Sequence, residues 1–213
     1  MINIRKLLWV LLVIAGIFLV TAASYAVLRT HQVVSEELDV TSPVLFEVKK
    51  GSSFHQFSKR LVQQGIIKDR FWLRNFVRLY SSKANIKAGT YQLLPSHTVG
   101  DLLDMVNRGD EHQFYITFVE GTRLSDWLDV ISKHPHIQQQ INTKDYKQVA
   151  QILGIQEQHP EGMFFPDTYA FTRNTTDIEI LKRAYKSMQL ALEEVWQNRE
   201  YGLPLNSAYE ALI

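Results

Sequence analysis

The stretch from Val44 to Leu61 reads VLFEVKKGSSFHQFSKRL, and it holds the pattern of a strand running into a helix. Val44, Phe46 and Val48 alternate with Leu45 and Glu47, which is the two-residue period of a strand, and Gly51 breaks the run. Ser53 stands where a helix cap is wanted. Phe54, Phe57 and Leu61, with Val62 beside them, fall on one face of the helix that it would start, and Gly65 ends it. About seventy residues further on, ITFVEGTRLSDWLDVI, from Ile116 to Ile131, repeats the layout. Phe46 to Gly51 leading into Phe54, Phe57 and Leu61 aligns without a gap with Ile116 to Gly121 leading into Leu124, Trp127 and Ile131. Strand, glycine and amphipathic helix form a common succession, so the repeat is a modest one. The pattern predicts an α+β protein.

Between the two stretches, Asp69 is placed to cap a helix carrying Phe71, Trp72, Phe76, Val77 and Tyr80. Ile86 to Leu94 reads as a strand interrupted by Gly89 and closed by Pro95. Thr98 caps a further helix burying Val99, Leu102, Leu103 and Val106, and Gly109 stops it. Residues 44–110 form a compact α/β module of about the smallest size that folds unaided. After Gly121 the pattern is mainly helical, with turns around Pro135, Asn142 and Gly154. From Thr176 a long helix is expected, with Leu181, Ala184, Tyr185, Met188, Leu192 and Val195 on its packed face. Glu179, Lys182, Lys186, Glu193 and Gln197 occupy the other. Leu203 to Asn206 form a turn and Ser207 a cap, after which Tyr209, Leu212 and Ile213 begin an apolar face with no stop signal. The expectation is a chain lacking its C-terminal part.

The N-terminus belongs to a different environment. Leu7 to Leu28 contains no charged residue, and a helix of that length spans roughly 30 Å of hydrocarbon. Arg5 and Lys6 precede it, while Glu36, Glu37 and Asp39 follow, so the positive-inside rule predicts a cytoplasmic N-terminus and an exported body. Ala22, Ala23, Ser24 and Ala26 resemble a signal cleavage site, but the apolar run is longer than a signal core, which favours a retained anchor. Residues 1–29 are thus read as cytoplasmic tip and anchor, and residues 30–43 as a polar stalk. With 23 basic and 22 acidic side chains the chain lacks the charge of an electrostatic nucleic-acid binder. It has no cysteine, which removes disulfides, thiol catalysis and cysteine-held metals.

The chemistry concentrates at Glu161 to Tyr169, EGMFFPDTY. Gly162 permits backbone angles closed to other residues, Pro166 fixes its own φ, and Phe165 before it is pushed toward extended backbone, so the segment reads as a shaped loop. Phe164, Phe165 and Tyr169 offer flat faces for a sugar, and Glu161, Asp167 and Thr168 offer hydrogen bonds to its hydroxyls. The plainer reading is that Asp167 and Thr168 satisfy turn amides and the phenylalanines anchor a core. Glu120 or Glu161 would serve as a general acid if buried, since burial keeps a carboxyl protonated at neutral pH. For Glu120 the commoner role is to accept amides where a helix begins. His134 and His136, with no nearby third ligand, read as exposed turn residues. No phosphate-binding glycine loop and no serine nucleophile elbow is present in the sequence.

These residues resemble the endolytic murein transglycosylases, the MltG or YceG-like family of single-pass membrane proteins. The specific part is Glu161 to Tyr169, which is similar to the family's Glu-Gly-x-x-x-Pro-Asp-Thr-Tyr signature; Glu120-Gly121 and Ala88-Gly89-Thr90-Tyr91 resemble further family stretches. The resemblance implies a LysM-like, glycan-binding subdomain over residues 44–110 and the mainly helical start of an incomplete catalytic domain over residues 111–213. It implies cleavage of the MurNAc-β-1,4-GlcNAc bond within peptidoglycan strands, leaving 1,6-anhydro ends, with no cofactor. It also implies a place in the bacterial inner membrane and a role in terminating nascent strands. The family's catalytic Glu follows a Tyr-Glu-Ala-Leu-Ile-like stretch, here Tyr209 to Ile213, so the acid is expected after Ile213 and Glu210 is not it. Glu161, Phe164, Asp167, Thr168 and Tyr169 are the implied substrate-binding wall. The alternative is an anchored peptidoglycan-binding or scaffold protein without catalysis, and a third reading has the anchor dock to wall-synthesis proteins.

Overall fold

The structure, a computed structural model, describes residues 4–155, 159–200 and 202–212. The chain is mixed α+β, with an N-terminal apolar helix and two compact units, residues 1–112 and 113–213.

Helix α1 runs from Ile4 to Gln32 and is long and apolar enough to cross a membrane, with a mean hydropathy of 2.4 over its apolar window. The segment after it is more ordered than a polar stalk. The helix carries on through Gln32, a 3-10 turn follows at Val33–Ser35, and Val33 and Leu38 are 5% and 4% exposed. The Leu38 N–H donates to the His97 carbonyl, and the Asp39 N–H to that of Ile66. Two buried apolar side chains among polar neighbours are too few to register as periodicity, yet they seat the segment in the first unit's core.

In that unit β1 (Val44–Val48) pairs antiparallel with β2 (Gly89–Leu93), Phe46 lying opposite Tyr91. Between the strands lie α2 (Phe54–Gln63) and α3 (Phe71–Leu79), and α4 (Val99–Arg108) follows β2. Ser53 caps α2 by accepting from the Gln56 N–H, and Thr98 caps α4 by accepting from that of Asp101. Asp69 accepts the Phe71 N–H at 2.9 Å, as a capping carboxylate does. The second strand is shorter than the sequence suggests: it starts at Gly89, whose φ of +154° no ordinary strand residue takes readily. Phe46, Phe57, Leu61, Leu73, Tyr91 and Leu102 fill the core.

The second unit repeats this plan. Strand β3 (Phe114–Thr117) pairs antiparallel with β4 (Thr168–Phe171), and Ile116 lies opposite Tyr169 as Phe46 lies opposite Tyr91. Helices α5 (Leu124–Lys133) and α6 (Tyr146–Leu153) separate the strands, and α7 (Asp177–Gln197) follows β4; a short α8 covers Ala208–Leu212. Gly51 and Gly121 both turn with positive φ, +79° and +74°, between strand and helix. The likeness extends past the aligned stretch seen in the sequence. Tyr91 donates its hydroxyl to the Lys87 carbonyl at 2.9 Å, and Tyr169 to that of Phe165 at 2.7 Å, each four residues back. A Thr cap opens the helix after each sheet, Thr98 with Asp101 and Thr176 with Glu179.

Two expectations for this unit change. The segment read as loop through Tyr169 becomes strand from Thr168 onward, because Tyr169 and Phe171 face the core while Thr168 and Ala170 do not, a two-residue period that Pro166 masks. On α7 the packed face covers Ile180, Leu181, Ala184 and Met188, but Val195 is 68% exposed. An apolar stripe needs a neighbour to cover it, and among the described residues the unit's core takes in α7 only as far as Tyr185.

Candidate functional site

The turn at Gly121 delivers the chain into α5 with its first amides facing outward. A helix start leaves such amides without intrahelical acceptors and carries a partial positive charge. Asp126 takes the Arg123 N–H at 3.0 Å, and the Leu124 N–H donates to Oε1 of Glu161 at 2.9 Å. The role of helix-start carboxylate, expected for Glu120, therefore belongs to Glu161. This bond draws the Glu161–Pro166 loop against the N-terminus of α5, and the Phe165 N–H, bonded to the Ala184 carbonyl at 3.0 Å, ties the same loop to α7.

Between loop and helix start lies a cavity of about 600 Å³, lined by Glu120, Gly121, Thr122, Arg123, Trp127, Tyr146, Glu161, Gly162, Phe164, Pro166 and Met188. Its apolar floor is an aromatic stack. The Trp127 ring lies on Phe118 at 4.3 Å and 4° between planes, and Phe164 packs 6.2 Å from both Trp127 and Tyr185. The Trp127 indole N–H donates to the Thr122 hydroxyl at 2.7 Å, which fixes the ring's orientation. The rim is charged: Glu120, Arg123 and Glu161 are all exposed. An apolar aromatic floor with a few polar groups on the rim suits a ligand with flat apolar faces and hydroxyl edges.

The structure divides the implied substrate-binding residues. Glu161 and Phe164 line the cavity. Asp167, Thr168 and Tyr169 hold the loop's exit instead. Asp167 accepts its neighbour's N–H at 2.7 Å and, through its carbonyl, that of Phe118 at 3.0 Å, which extends the β3–β4 ladder. Thr168 shares a hydroxyl bond of 2.9 Å with Thr117 across the strands. Tyr169 is 8% exposed, and burial pushes its phenol above the ordinary range. Glu120 and Glu161 both remain exposed, not buried as the general-acid reading required.

Arg123 and Tyr146 are cavity residues that the sequence does not single out, and its periodicity places Trp127 and Met188 only in the core. One signal is available for Trp127. An indole N–H on a packed face needs an acceptor, and Thr122 stands five residues before it, at the helix start. His134 and His136 are half-buried, not exposed: the His134 ring packs edge-on to Phe171 at 4.9 Å, and its Nδ1 accepts the His136 N–H at 3.3 Å. Burial, then the neighbouring His136, lowers the His134 pKa.

The YceG-like family profile matches residues 46–213, from β1 to the last residue. The chain belongs to the YceG-like family. A crystal structure of a YceG-like protein from Listeria monocytogenes is similar at 18% identity and a TM-score of 0.35, over 74% of this chain and 57% of that one. This chain thus spans somewhat more than half the length of that relative. A search of curated proteins finds no match. The YceG-like match takes in both strand-to-helix repeats and the whole Glu161–Tyr169 loop, and so every residue of the cavity.

Proposed function

We propose that this protein is a membrane-anchored endolytic transglycosylase of peptidoglycan, and that the cavity beneath the Glu161–Pro166 loop is part of its glycan groove. The observation that carries the reading is the aromatic floor of Trp127 and Phe164, set beside Glu120, Arg123 and Glu161 in a chain of YceG-like family membership. Stacked rings meet the apolar faces of a sugar, the two carboxylates accept its hydroxyls, and the guanidinium of Arg123 pairs with the lactyl or peptide carboxylate of a muramic acid unit.

In this reading one Glu protonates the leaving oxygen of the MurNAc-β-1,4-GlcNAc bond and then takes the proton from the muramic 6-hydroxyl, which closes the 1,6-anhydro ring without consuming water. That Glu belongs to the family motif that follows a Tyr-Glu-Ala-Leu-Ile-like stretch. Glu161, with its carboxylate engaged by the Leu124 amide, positions the groove. The first unit, with its strand–helix–helix–strand order, serves as the LysM-like glycan-binding module, α1 anchors the protein in the inner membrane with its N-terminus cytoplasmic, and the enzyme ends nascent strands.

Incubation with purified peptidoglycan and mass spectrometry of the soluble products tests this. Residues 1–213 are expected to release no anhydro-muropeptides, and a form extended through the family's Glu motif is expected to release them. Reducing, hydrated ends from the extended form would sink the lyase assignment. Retention of residues 1–213 on insoluble peptidoglycan, lost on Trp127→Ala in a protein that stays folded, is the expected mark of the groove.

A further inference from the structure

The outward side of α3 joins large apolar side chains to two exposed arginines. Leu73, Phe76 and Val77 are buried, whereas Phe71 and Leu79 are left 57% and 63% exposed. Phe71, Arg74 and Arg78 stand at the spacing that places them on one side of a helix, and both arginines are exposed. Lys68 and Arg70 precede the helix, but Lys68 lines a groove with Glu36, Glu37 and Asp39, and Arg70 is half-buried. No acid lies within α3, and the adjacent Asp69 is bonded to the Phe71 amide.

The neighbours of α3 identify what would meet that side. The Trp72 ring sits edge-on to Tyr25 of α1 at 6.4 Å, and His31 of α1 contacts Phe76 at 6.0 Å and Tyr80 at 5.5 Å. The Tyr80 hydroxyl and His31 Nε2, 3.1 Å apart, close the far end of this contact. Tyr25 is one turn before Arg29, where the apolar run of α1 ends. From Tyr25 to His31 the helix rises about 9 Å. If α1 spans a bilayer, Trp72 is therefore held at the polar–apolar boundary, the level that Trp and Tyr rings favour, and α3 climbs outward from there through the depth of the headgroups. Arginine stems lie along apolar surface at that level while their guanidinium groups reach phosphate.

We infer that α3 is a membrane-surface element: Phe71 and Trp72 enter the margin of the bilayer that α1 crosses, and Arg74 and Arg78 bind the phosphates of anionic phospholipids. The inference rests on α1 spanning that bilayer and on nothing in the proposed catalysis. Its consequence is that the first unit is clamped to the membrane at two elements and cannot swing freely about α1.

The chain has no cysteine, so single spin labels are straightforward. The 213-residue chain, placed in phosphatidylcholine nanodiscs with or without phosphatidylglycerol, would carry a label at Phe18→Cys, Phe71→Cys, Leu79→Cys or Gln56→Cys, all exposed positions. Accessibility to oxygen relative to a water-soluble nickel chelate is expected to fall in that order, with residue 71 moving deeper when phosphatidylglycerol is present. The double change Arg74→Gln with Arg78→Gln is expected to abolish that lipid-dependent shift. Water-like accessibility at residue 71 while residue 18 reads as buried in lipid would overturn the inference. A depth at residue 71 that ignores phosphatidylglycerol would overturn the headgroup part of it. Water-like accessibility at residue 18 would show instead that the spanning premise is false, and both would fall.

Discussion

The two units share one plan, strand, turn, two helices, strand, helix, but they satisfy their helix starts differently. In the first unit the side-chain caps are local. Ser53 and Gln56 exchange bonds at the start of α2, as do Thr98 and Asp101 at the start of α4, while the Val99 amide donates to the Glu36 carbonyl at 2.9 Å and its side chain packs. In the second unit carboxylates reach across the fold. Glu161 takes the Leu124 amide at the start of α5. Asp177, which stands where Val99 stands in the first unit, is 1% exposed and accepts the Gln140 and Ile141 amides at 2.9 and 2.8 Å. At the start of α5 the distant carboxylate brings its own loop with it, and the space left between loop and helix is the cavity. The first unit's matching turn, Lys49 to Ser53, carries a basic groove lined by Lys49, Lys50, Lys59 and Arg60 instead of an aromatic floor.

The contrast can be broken most forcefully at Trp127, the counterpart of Phe57. Trp127→Ala removes the ring that stacks on Phe118 and is expected to destabilise the second unit by about 4 kcal/mol in denaturant unfolding. Trp127→Phe, which keeps the packing and loses only the bond to Thr122, should cost about 1 kcal/mol. If the two changes cost the same, the stack is not what holds the floor. Asp177→Ala comes next. It leaves two backbone amides without their charged acceptor inside the fold, for an expected loss of about 3 kcal/mol, whereas Val99→Ala removes only apolar contacts, at about 1–2 kcal/mol.

Smaller again are the paired cap deletions. Glu161→Ala and Ser53→Ala should each lose about 1 kcal/mol, but only Glu161→Ala should weaken retention on peptidoglycan, because only it releases a loop. Equal effects on retention would dissolve the distinction between the units. The smallest expected effect is with pH. His134 has a folded pKa below its unfolded value, so the fold favours the neutral ring; that contribution is fully present above about pH 6.5 and is lost as pH falls through the folded value. Protonation would also break the bond that Nδ1 accepts from the His136 amide. The second unit should therefore melt lower at pH 5 than at pH 7.5, and His134→Gln should flatten that difference. In the first unit Asp101 is held below the usual carboxylate range by the Thr98 amide and hydroxyl, so its contribution is lost only in stronger acid.

Much of this was legible in the chain. The apolar run of α1, the Ser53 and Thr98 caps, the helix start at Thr176, the Gly109 stop and the aligned turns at Gly51 and Gly121 depend on neighbours within a few residues, and such signals survive in a linear string. So did the loop that carries the family signature. The strand at Thr168–Phe171 was hidden because its partner lies far back in the sequence and Pro166 suggests a turn. The seating of Val33 and Leu38 was hidden because two side chains make no period.

Sequence alone determined the α+β class, the apolar N-terminal helix, the doubled strand-to-helix unit and the identity of the signature loop, since each is written in local periodicity, capping or spacing. Tertiary structure decided which carboxylate meets which amide, that Glu161 and Phe164 line the cavity while Asp167, Thr168 and Tyr169 brace its edge, and that Trp127 is floor as well as core. The Glu161 and Thr168 contacts join partners 37 and 51 residues apart, and only the closed chain sets a distance between them.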